Sequence, residues 1–200
     1  MTATTRVLGI DPGETGAAVM LDEGGRVYRV VTWTTCQRDW RKMRQIRQWV
    51  TDDTAPSGLE VTGLPMVAVG QSLAARLTPT LLACESQHVA RDPRAALRLT
   101  LQAGRLLAPL ELEMKAEAQM VSPSSWRSMH GIKGLTRRKE NGRMETRRQA
   151  LKRESLTYLP RFLPGLADAL DALGHHDHIT DAAGIARYAY MHARQKERAR

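Results

Sequence analysis

Acidic residues stand where predicted elements begin or end, although they are far apart in the sequence. Asp11 ends one apolar, strand-like run, and Glu85 ends another. Asp181 lies in the first turns of the last predicted helix, about one turn after Asp177 and His178. Residues three or four apart share one face of a helix. Acids at neighbouring strand ends can therefore converge with that face in a single site.

Metal-dependent hydrolysis is the chemistry that such a cluster would support. Three or four carboxylates repel one another in a shared site unless cations neutralise them. Hard oxygen ligands in an open site select Mg²⁺ or Mn²⁺. Two such ions about 4 Å apart can activate water and stabilise the leaving oxygen of a phosphodiester. The pattern therefore predicts phosphodiester hydrolysis. Each acid also has a structural interpretation: Asp11 as a turn residue, Asp177 as a helix N-cap and Asp181 as a first-turn acid favoured by the helix dipole.

Positive charge is concentrated in one stretch, from Arg127 to Arg161. It holds eleven Lys and Arg residues against three Glu, which accounts for nearly all of the chain's net charge of +9. A solvated helix face usually mixes charges of both signs, so a phosphate-binding surface is the favoured interpretation. Glycines at 131, 134 and 142 predict a flexible basic loop at about 131–146, with a helix from about Glu145. The candidate DNA-contacting residues in this stretch are Arg127, Lys133, Arg137, Arg138, Lys139, Arg147 and Arg148.

Composition limits the class of protein. The chain has 200 residues, of which 42% are hydrophobic, which suits a single domain with a real core. Two cysteines, Cys36 and Cys84, exclude a disulfide framework, so a cytoplasmic location is expected. Neighbouring histidines at 175, 176 and 178 rarely complete a zinc site, and no cysteine is near them. We expect no signal peptide and no membrane span, since no apolar run is long and unbroken enough.

The N-terminal half predicts strands. Two strands from Val7 to Leu21, joined by a Pro-Gly turn, and a third over Val27–Thr34 would form an antiparallel meander. Apolar residues three and four apart predict a helix over Arg38–Val50. Residues 52–65 are expected to form a loop, and residues 66–77 allow no assignment. The apolar run Thr80–Cys84 predicts a further strand.

The C-terminal half predicts mainly helices. One helix is expected from Asp92, followed by a short link at Leu110–Met114. A short strand is expected at Gln119–Val121. An apolar helix over Leu163–Leu173 should end at Gly174, and the last helix should begin near Asp177 and pack its alanines against the sheet.

Four stretches, in this order along the chain, resemble the RuvC group of Holliday-junction resolvases within the RNase H-like fold. The first is Val-Leu-Gly-Ile-Asp-Pro-Gly-Glu-Thr-Gly, which ends at Gly16. The second is Glu85 with the helix over Ala95–Gly104. The third is Val-Ser-Pro-Ser-Ser-Trp-Arg, which ends at Arg127, and the fourth is Asp181–Ala186.

The resemblance implies an α/β fold in which a three-stranded antiparallel meander is continued by parallel strands and flanked by helices, as a single nuclease domain over residues 1–200. It implies a homodimeric, Mg²⁺-dependent endonuclease, with Mn²⁺ as a substitute, that nicks four-way DNA junctions symmetrically. Asp11, Glu85 and Asp181 would be catalytic metal ligands. The fourth ligand would be Asp177 or His178, and a carboxylate suits Mg²⁺ better, which slightly favours Asp177. Arg127 and Arg147 would contact phosphates.

Two other functions remain open. The turn Gly-Ile-Asp-x-Gly-x-Thr-Gly also occurs in sugar kinases and actin-like ATPases, but those proteins need two such domains and would not need Glu85 or the basic stretch. A non-catalytic protein that binds branched nucleic acids could use the same fold. Three intact acids argue against it, because unneeded carboxylates beside a DNA site repel phosphate.

Overall fold

The computed structural model describes residues 5–13, 15–34, 46–50, 58–59, 66–86, 93–139, 142–174 and 176–199. The strands in this part are β1 (Val7–Asp11), β2 (Thr15–Leu21), β3 (Val27–Thr34), β4 (Ile46–Val50), β5 (Gly58–Leu59), β6 (Leu81–Glu85) and β7 (Gln119–Val121). The helices are α1 (Met66–Arg76), α2 (Pro93–Met114), α3 (Pro123–Met129), α4 (Arg147–Tyr158), α5 (Leu166–Leu173) and α6 (Asp177–Arg198). A 3-10 turn over Leu159–Arg161 links α4 to α5.

One mixed sheet forms the centre of the molecule, with strand order β5-β4-β3-β2-β1-β6-β7. The strands β1, β2 and β3 pair antiparallel, which confirms the meander. The strand β6 pairs parallel with β1, and β7 pairs parallel with β6. All five residues of β1 are buried, as expected for a strand covered on both faces. The predicted fold class is therefore confirmed.

The expected helix over Arg38–Val50 is wrong in its second half. Residues Ile46–Val50 form β4, which pairs antiparallel with β3; positions 35–45 lie outside the described residues. Isoleucine, tryptophan and valine favour strands as well as an apolar helix face, so their spacing was ambiguous. Without β4, the outer edge of β3 would present unpaired backbone groups. The short strand β5, within the expected loop, pairs in turn with β4.

Helices cover both faces of the sheet. The helices α1 and α2 pack on one face, and α5 and α6 pack on the other. The helix α6 crosses β1 very closely, because a Cβ on Gly9 would lie only 2.4 Å from the carbonyl oxygen of Ala182 and from the amide nitrogen of Ala186. This crossing places the first turns of α6 beside the carboxyl ends of β1 and β6, where the candidate acids stand.

Several helix boundaries differ from the expected ones. The link expected at Leu110–Met114 is wrong, because α2 continues to Met114 and Leu110 is fully buried on the sheet. The unassigned residues 66–77 contain α1. The helix α5 begins at Leu166 rather than at Leu163, and it ends at Leu173 before the capping Gly174, as expected. None of the helices in the described ranges is both long and apolar enough to cross a membrane.

Candidate metal centre and basic cavity

Two neighbouring parallel strands bring Asp11 and Glu85 together. Ile10 of β1 is in register with Cys84 of β6, so the next residue of each strand stands at the same edge of the sheet. Their side chains are only 12% and 15% exposed. Both strands are apolar up to these acids, so the sheet fixes the carboxylates at the point where the backbone reaches the surface.

The first turns of α6 add His178 and Asp181 to this edge. His178 donates from Nδ1 to Oδ2 of Asp11 over 2.7 Å, and this hydrogen bond raises the pKa of the imidazole. Asp181 lies one turn further along the helix, and its side chain is 19% exposed. Three of the predicted acids and one histidine therefore share one site.

The short helix α3 supplies two donors that sequence reasoning did not assign to the acids. Trp126 donates from Nε1 to Oε1 of Glu85 over 3.3 Å. The Nη2 group of Arg127 donates to Oδ2 of Asp181 over 3.3 Å and lies 4.0 Å from Oε1 of Glu85. The guanidinium also stacks on Trp126, 4.7 Å from the ring centroid. Trp126 and Arg127 thus form one wall of the acidic site.

Trp126 is held in place from behind by α6. A Cβ on Gly184 would lie 2.5 Å from the indole, so this ring needs glycine there. His130 donates from Nε2 to the Gly184 carbonyl (3.3 Å) and accepts at Nδ1 from Arg187 (3.0 Å). Burial, helped by the nearby Arg187 charge, lowers the pKa of His130 to about 4, so its imidazole is neutral. The spacing of these residues in the sequence gave no sign of this arrangement.

The electrostatics of the site disfavour full ionisation. Burial raises the pKa of Glu85 to about 7, and the nearby charges of Asp11 and Asp181 add to the effect. Burial also raises the pKa of Asp181 to about 7; the charge of Arg127 opposes this rise and that of Asp11 reinforces it. Each carboxylate is therefore short of positive charge, which a bound cation would supply.

The carboxylates and the imidazole of this site are ligands that suit a hard divalent cation, but they do not converge on one point. Within the described ranges, no three His, Cys, Asp or Glu side chains are grouped closely enough to hold an ion. Instead, Asp11 is paired with His178, and Arg127 is paired with Asp181 and Glu85. Carboxylate oxygens with one imidazole nitrogen match the preferences of Mg²⁺ and Mn²⁺.

Asp177 and His178 differ in what they contact. Lys152 of α4 pairs with Oδ2 of Asp177, whereas His178 contacts Asp11. Burial acts to raise the pKa of Asp177, but the hydrogen bond and charge of Lys152, together with the charge of His178, outweigh it and hold the pKa below its usual range. Asp177 is thus neutralised from α4, and His178 is the side chain joined to the acidic cluster.

A basic cavity of about 580 Å³ lies beside the acids. Arg127, Lys133 and Arg147 line it, together with Ser124 and Ser128. Arg127 therefore belongs to both the acidic site and this cavity. The other candidate DNA-contacting residues are exposed on the same loop and helix but lie outside the cavity lining: Arg137, Arg138, Lys139 and Arg148.

Glu154, a buried acid of α4, anchors the start of the basic loop. Its carboxylate accepts backbone N–H bonds from Lys133, Gly134 and Leu135 at 2.8, 2.9 and 2.7 Å. Arg153 donates to Glu145 and to the carbonyl of Leu135, which ties the loop to α4 a second time. The loop between α3 and α4, expected to be flexible, is thus tied at this end by α4. Sequence reasoning missed Glu154, since an acid within a basic helix carries no local signal of its partner.

Cys84 precedes Glu85 in β6, and its thiol donates to the backbone carbonyl of Glu85 over 3.6 Å. Cys84 is buried with a free thiol, and burial raises the pKa of that thiol above its usual range. Cys36 and His175 lie outside the described residues.

Comparison with solved structures identifies the fold. The chain superposes on "T. thermophilus RuvC in complex with Holliday junction substrate" with a TM-score of 0.54 and 17% identity, over 96% of each chain. It superposes equally well on a second Thermus thermophilus RuvC structure, with a TM-score of 0.54 and 19% identity over 96% of this chain and 97% of that one. The sequence matches no protein-family model and no curated protein sequence. The chain therefore has the fold of these RuvC structures, and the resemblance in its sequence is confirmed at the level of the fold.

Proposed function

We propose that this protein is a divalent-metal-dependent endonuclease that resolves four-way DNA junctions. The observation that carries the proposal is the convergence of Asp11, Glu85 and Asp181 at the carboxyl edge of β1 and β6, beside a basic cavity. A solved structure with the same fold is described as bound to a Holliday junction. Fold alone does not establish activity, so the site and its charges support the reaction class.

The roles of the residues follow from their positions. Asp11, Glu85, Asp181 and His178 would hold Mg²⁺ or Mn²⁺. When bound, such ions activate the attacking water and stabilise the leaving oxygen. Lys133 and Arg147 would hold the phosphate backbone from the neighbouring cavity. Trp126 orients the Glu85 carboxylate through its indole N–H.

His178 is our proposed fourth ligand. The sequence slightly favoured Asp177, because a carboxylate suits Mg²⁺ better. In the fold, His178 contacts Asp11 directly, whereas Asp177 is paired with Lys152. A residue already joined to the acids needs less rearrangement to share an ion with them.

A nicking assay tests the proposed reaction. Synthetic four-way junctions and a linear duplex of the same sequence are incubated with the protein, with and without Mg²⁺. We expect paired nicks at symmetric positions, in the junction only, that depend on the metal. Paired nicks would require two active sites, so we also propose a homodimer, which sedimentation analysis would detect. Cleavage of flaps or single strands instead would contradict the proposed junction specificity, but the protein would still be a nuclease.

A non-catalytic branched-DNA-binding protein is the second candidate. This candidate is favoured by the pairing of the acids with Arg127 and His178, because the acids are not already arranged around a metal position. Asp11→Asn separates the two functions. A binding protein should keep or improve its junction affinity and show no nicking in either form. If the protein is a nuclease, the wild-type form should nick the junction. The Asp11→Asn variant should then lose nicking but keep junction binding.

A further inference from the structure

Arg127 lies between two surfaces of opposite charge. Its Nη2 group contacts Asp181 and Glu85 on one side, and its side chain lines the basic cavity on the other. The side chain is 23% exposed. A guanidinium is always protonated, so Arg127 brings a permanent positive charge to whichever side it faces.

The hydrogen bonding of Arg127 on the acidic side is incomplete. Its Nε is buried and has no hydrogen-bond partner among the described residues. The distances to the carboxylates, 3.3 and 4.0 Å, are longer than those of a two-pronged arginine–carboxylate pair. The guanidinium therefore neutralises the acids without being tightly held by them. The unpartnered Nε is a donor that an anion could satisfy once the side chain turns into the cavity.

We propose that Arg127 is an internal counter-ion that a divalent cation displaces from Asp181 and Glu85, and that the displaced guanidinium then binds a DNA phosphate in the adjacent cavity. The inference rests on the proposed function. Arg127 would thus couple metal binding to substrate binding. Because such coupling is reciprocal, DNA in the cavity would draw Arg127 away from the acids and tighten the metal site.

The fold allows this exchange with a small movement. Arg127 already lines the cavity, so only its side-chain torsions need to change. The Trp126 ring beneath the guanidinium is fully buried and fixed by its bond to Glu85. Lys133 and Arg147 add positive charge on the cavity side, so a phosphate there would be met by three cations.

Metal affinity without DNA provides the first test. Mn²⁺ is titrated calorimetrically into the wild-type protein and into Arg127→Ala. We expect the variant to bind Mn²⁺ about tenfold more tightly, within the usual range of coupling between sites. Arg147→Ala is the matched control: it removes an arginine from the same cavity but not from the carboxylates, so its Mn²⁺ affinity should equal that of wild type. Equal or weaker Mn²⁺ binding by Arg127→Ala would overturn the inference.

Junction binding provides the second test. The affinity for a four-way junction is measured with and without Ca²⁺, used as a divalent cation that does not support cleavage. Ca²⁺ should strengthen junction binding more in wild type than in Arg127→Ala, because only wild type has a guanidinium to release. An equal gain in both proteins would contradict the coupling role.

Folding and the underlying function are controlled separately. Arg127→Gln keeps most of the side-chain volume and replaces Arg127→Ala in both tests if the alanine variant does not fold. Thermal unfolding should show a lower Tm in EDTA for either variant and a larger gain on adding Mg²⁺ than in wild type. No metal binding by any of the proteins would overturn the proposed function itself. Metal binding that is indifferent to Arg127 would overturn only this inference.

Discussion

Among the described residues, two regions bury carboxylates and shift their pKa values in opposite directions. Glu154 is only 3% exposed, yet three backbone N–H groups point at its oxygens. Burial acts to raise the pKa of Glu154, but bonds from Gly134, Leu135 and Lys133 outweigh it and lower the pKa. For Glu85 and Asp181, burial and neighbouring acids raise the pKa to about 7.

The difference shows that burial alone does not decide the charge of a carboxylate. Glu154 receives enough donors to be a stable anion, so its charge holds the loop to α4. The sheet-edge acids receive an indole N–H, an imidazole and a shared guanidinium, and the pKa values of Glu85 and Asp181 nevertheless stay raised. Electrostatic repulsion that a fold leaves unrelieved is typical of a functional site.

The largest expected effect is on cleavage, from Glu85→Gln. The variant removes one charge from the edge of β6 without changing side-chain size. We expect Mg²⁺-dependent junction nicking to fall by roughly 10³-fold, since a lost metal ligand removes stabilisation that acts in the transition state. Folding should survive, because the replaced charge was repelled by Asp11 and Asp181. Single-turnover nicking rates and urea unfolding check both parts. Unchanged nicking would remove Glu85 from the site.

Glu154→Gln should give the opposite pattern. The amide turns donors toward backbone N–H groups, so at least one hydrogen bond to Lys133, Gly134 or Leu135 is lost. We expect the free energy of unfolding to fall by about 2 kcal/mol, the usual cost of losing a bond to a charged group. Urea denaturation measures it. Junction affinity should weaken, while the nicking rate of bound junction stays close to wild type. A stability equal to that of wild type would contradict the anchoring role.

The pH dependence of stability should separate the same two groups. Glu85 has a folded pKa of about 7, above its ordinary value of 4.5, so its contribution is present below pH 4.5 and is lost as pH rises through 7. Glu154 has a lowered pKa, so its contribution is present above pH 4.5 and is lost as pH falls through its folded pKa.

Urea unfolding of the metal-free protein from pH 3 to pH 8 measures both losses of stability: the acid limb, at low pH, from Glu154 and the neutral limb, toward pH 7, from Glu85. Glu85→Gln should reduce the loss of stability between pH 4.5 and 7 by about 3 kcal/mol, and leave the acid limb in place. Glu154→Gln should flatten the acid limb instead. Identical pH profiles for the two variants would contradict the proposed difference between the sheet-edge acids and Glu154.

Local patterns in the sequence determine the sheet centre and its acids. The apolar runs that end in Asp11 and Glu85 predicted two strands, and the runs and turns from Val7 to Thr34 predicted the meander, whereas the parallel strands beside it were implied only by the resemblance. The four quoted stretches predicted the RuvC-like fold. In contrast, β4 could not be distinguished from a helix, because its apolar spacing suits both and only its pairing with β3 makes it a strand.

Partners of the site residues could not be predicted, since they depend on tertiary packing. Nothing in the sequence pairs Lys152 with Asp177, or Glu154 with the amides of a loop about 20 residues earlier. Arg127 was expected to face phosphate, but its contact with Asp181 arises only because α3 and α6 meet at Gly184. Spacing identifies candidate residues, and packing decides what each one touches.

The smallest expected effect concerns Asp177, which lies beside the acidic site but is paired away from it. Asp177→Asn breaks its ion pair with Lys152, whose side chain is 41% exposed, so the stability change should be below about 1 kcal/mol. The nicking rate should change less than about fivefold, because a half-exposed pair is worth little and no metal ligand is lost. His178→Asn is the matched comparison, since it removes the contact with Asp11 and should reduce nicking far more. The opposite ranking of the two variants would make Asp177 the fourth ligand. It would also mean that Lys152, like Arg127, is a cation that metal binding displaces.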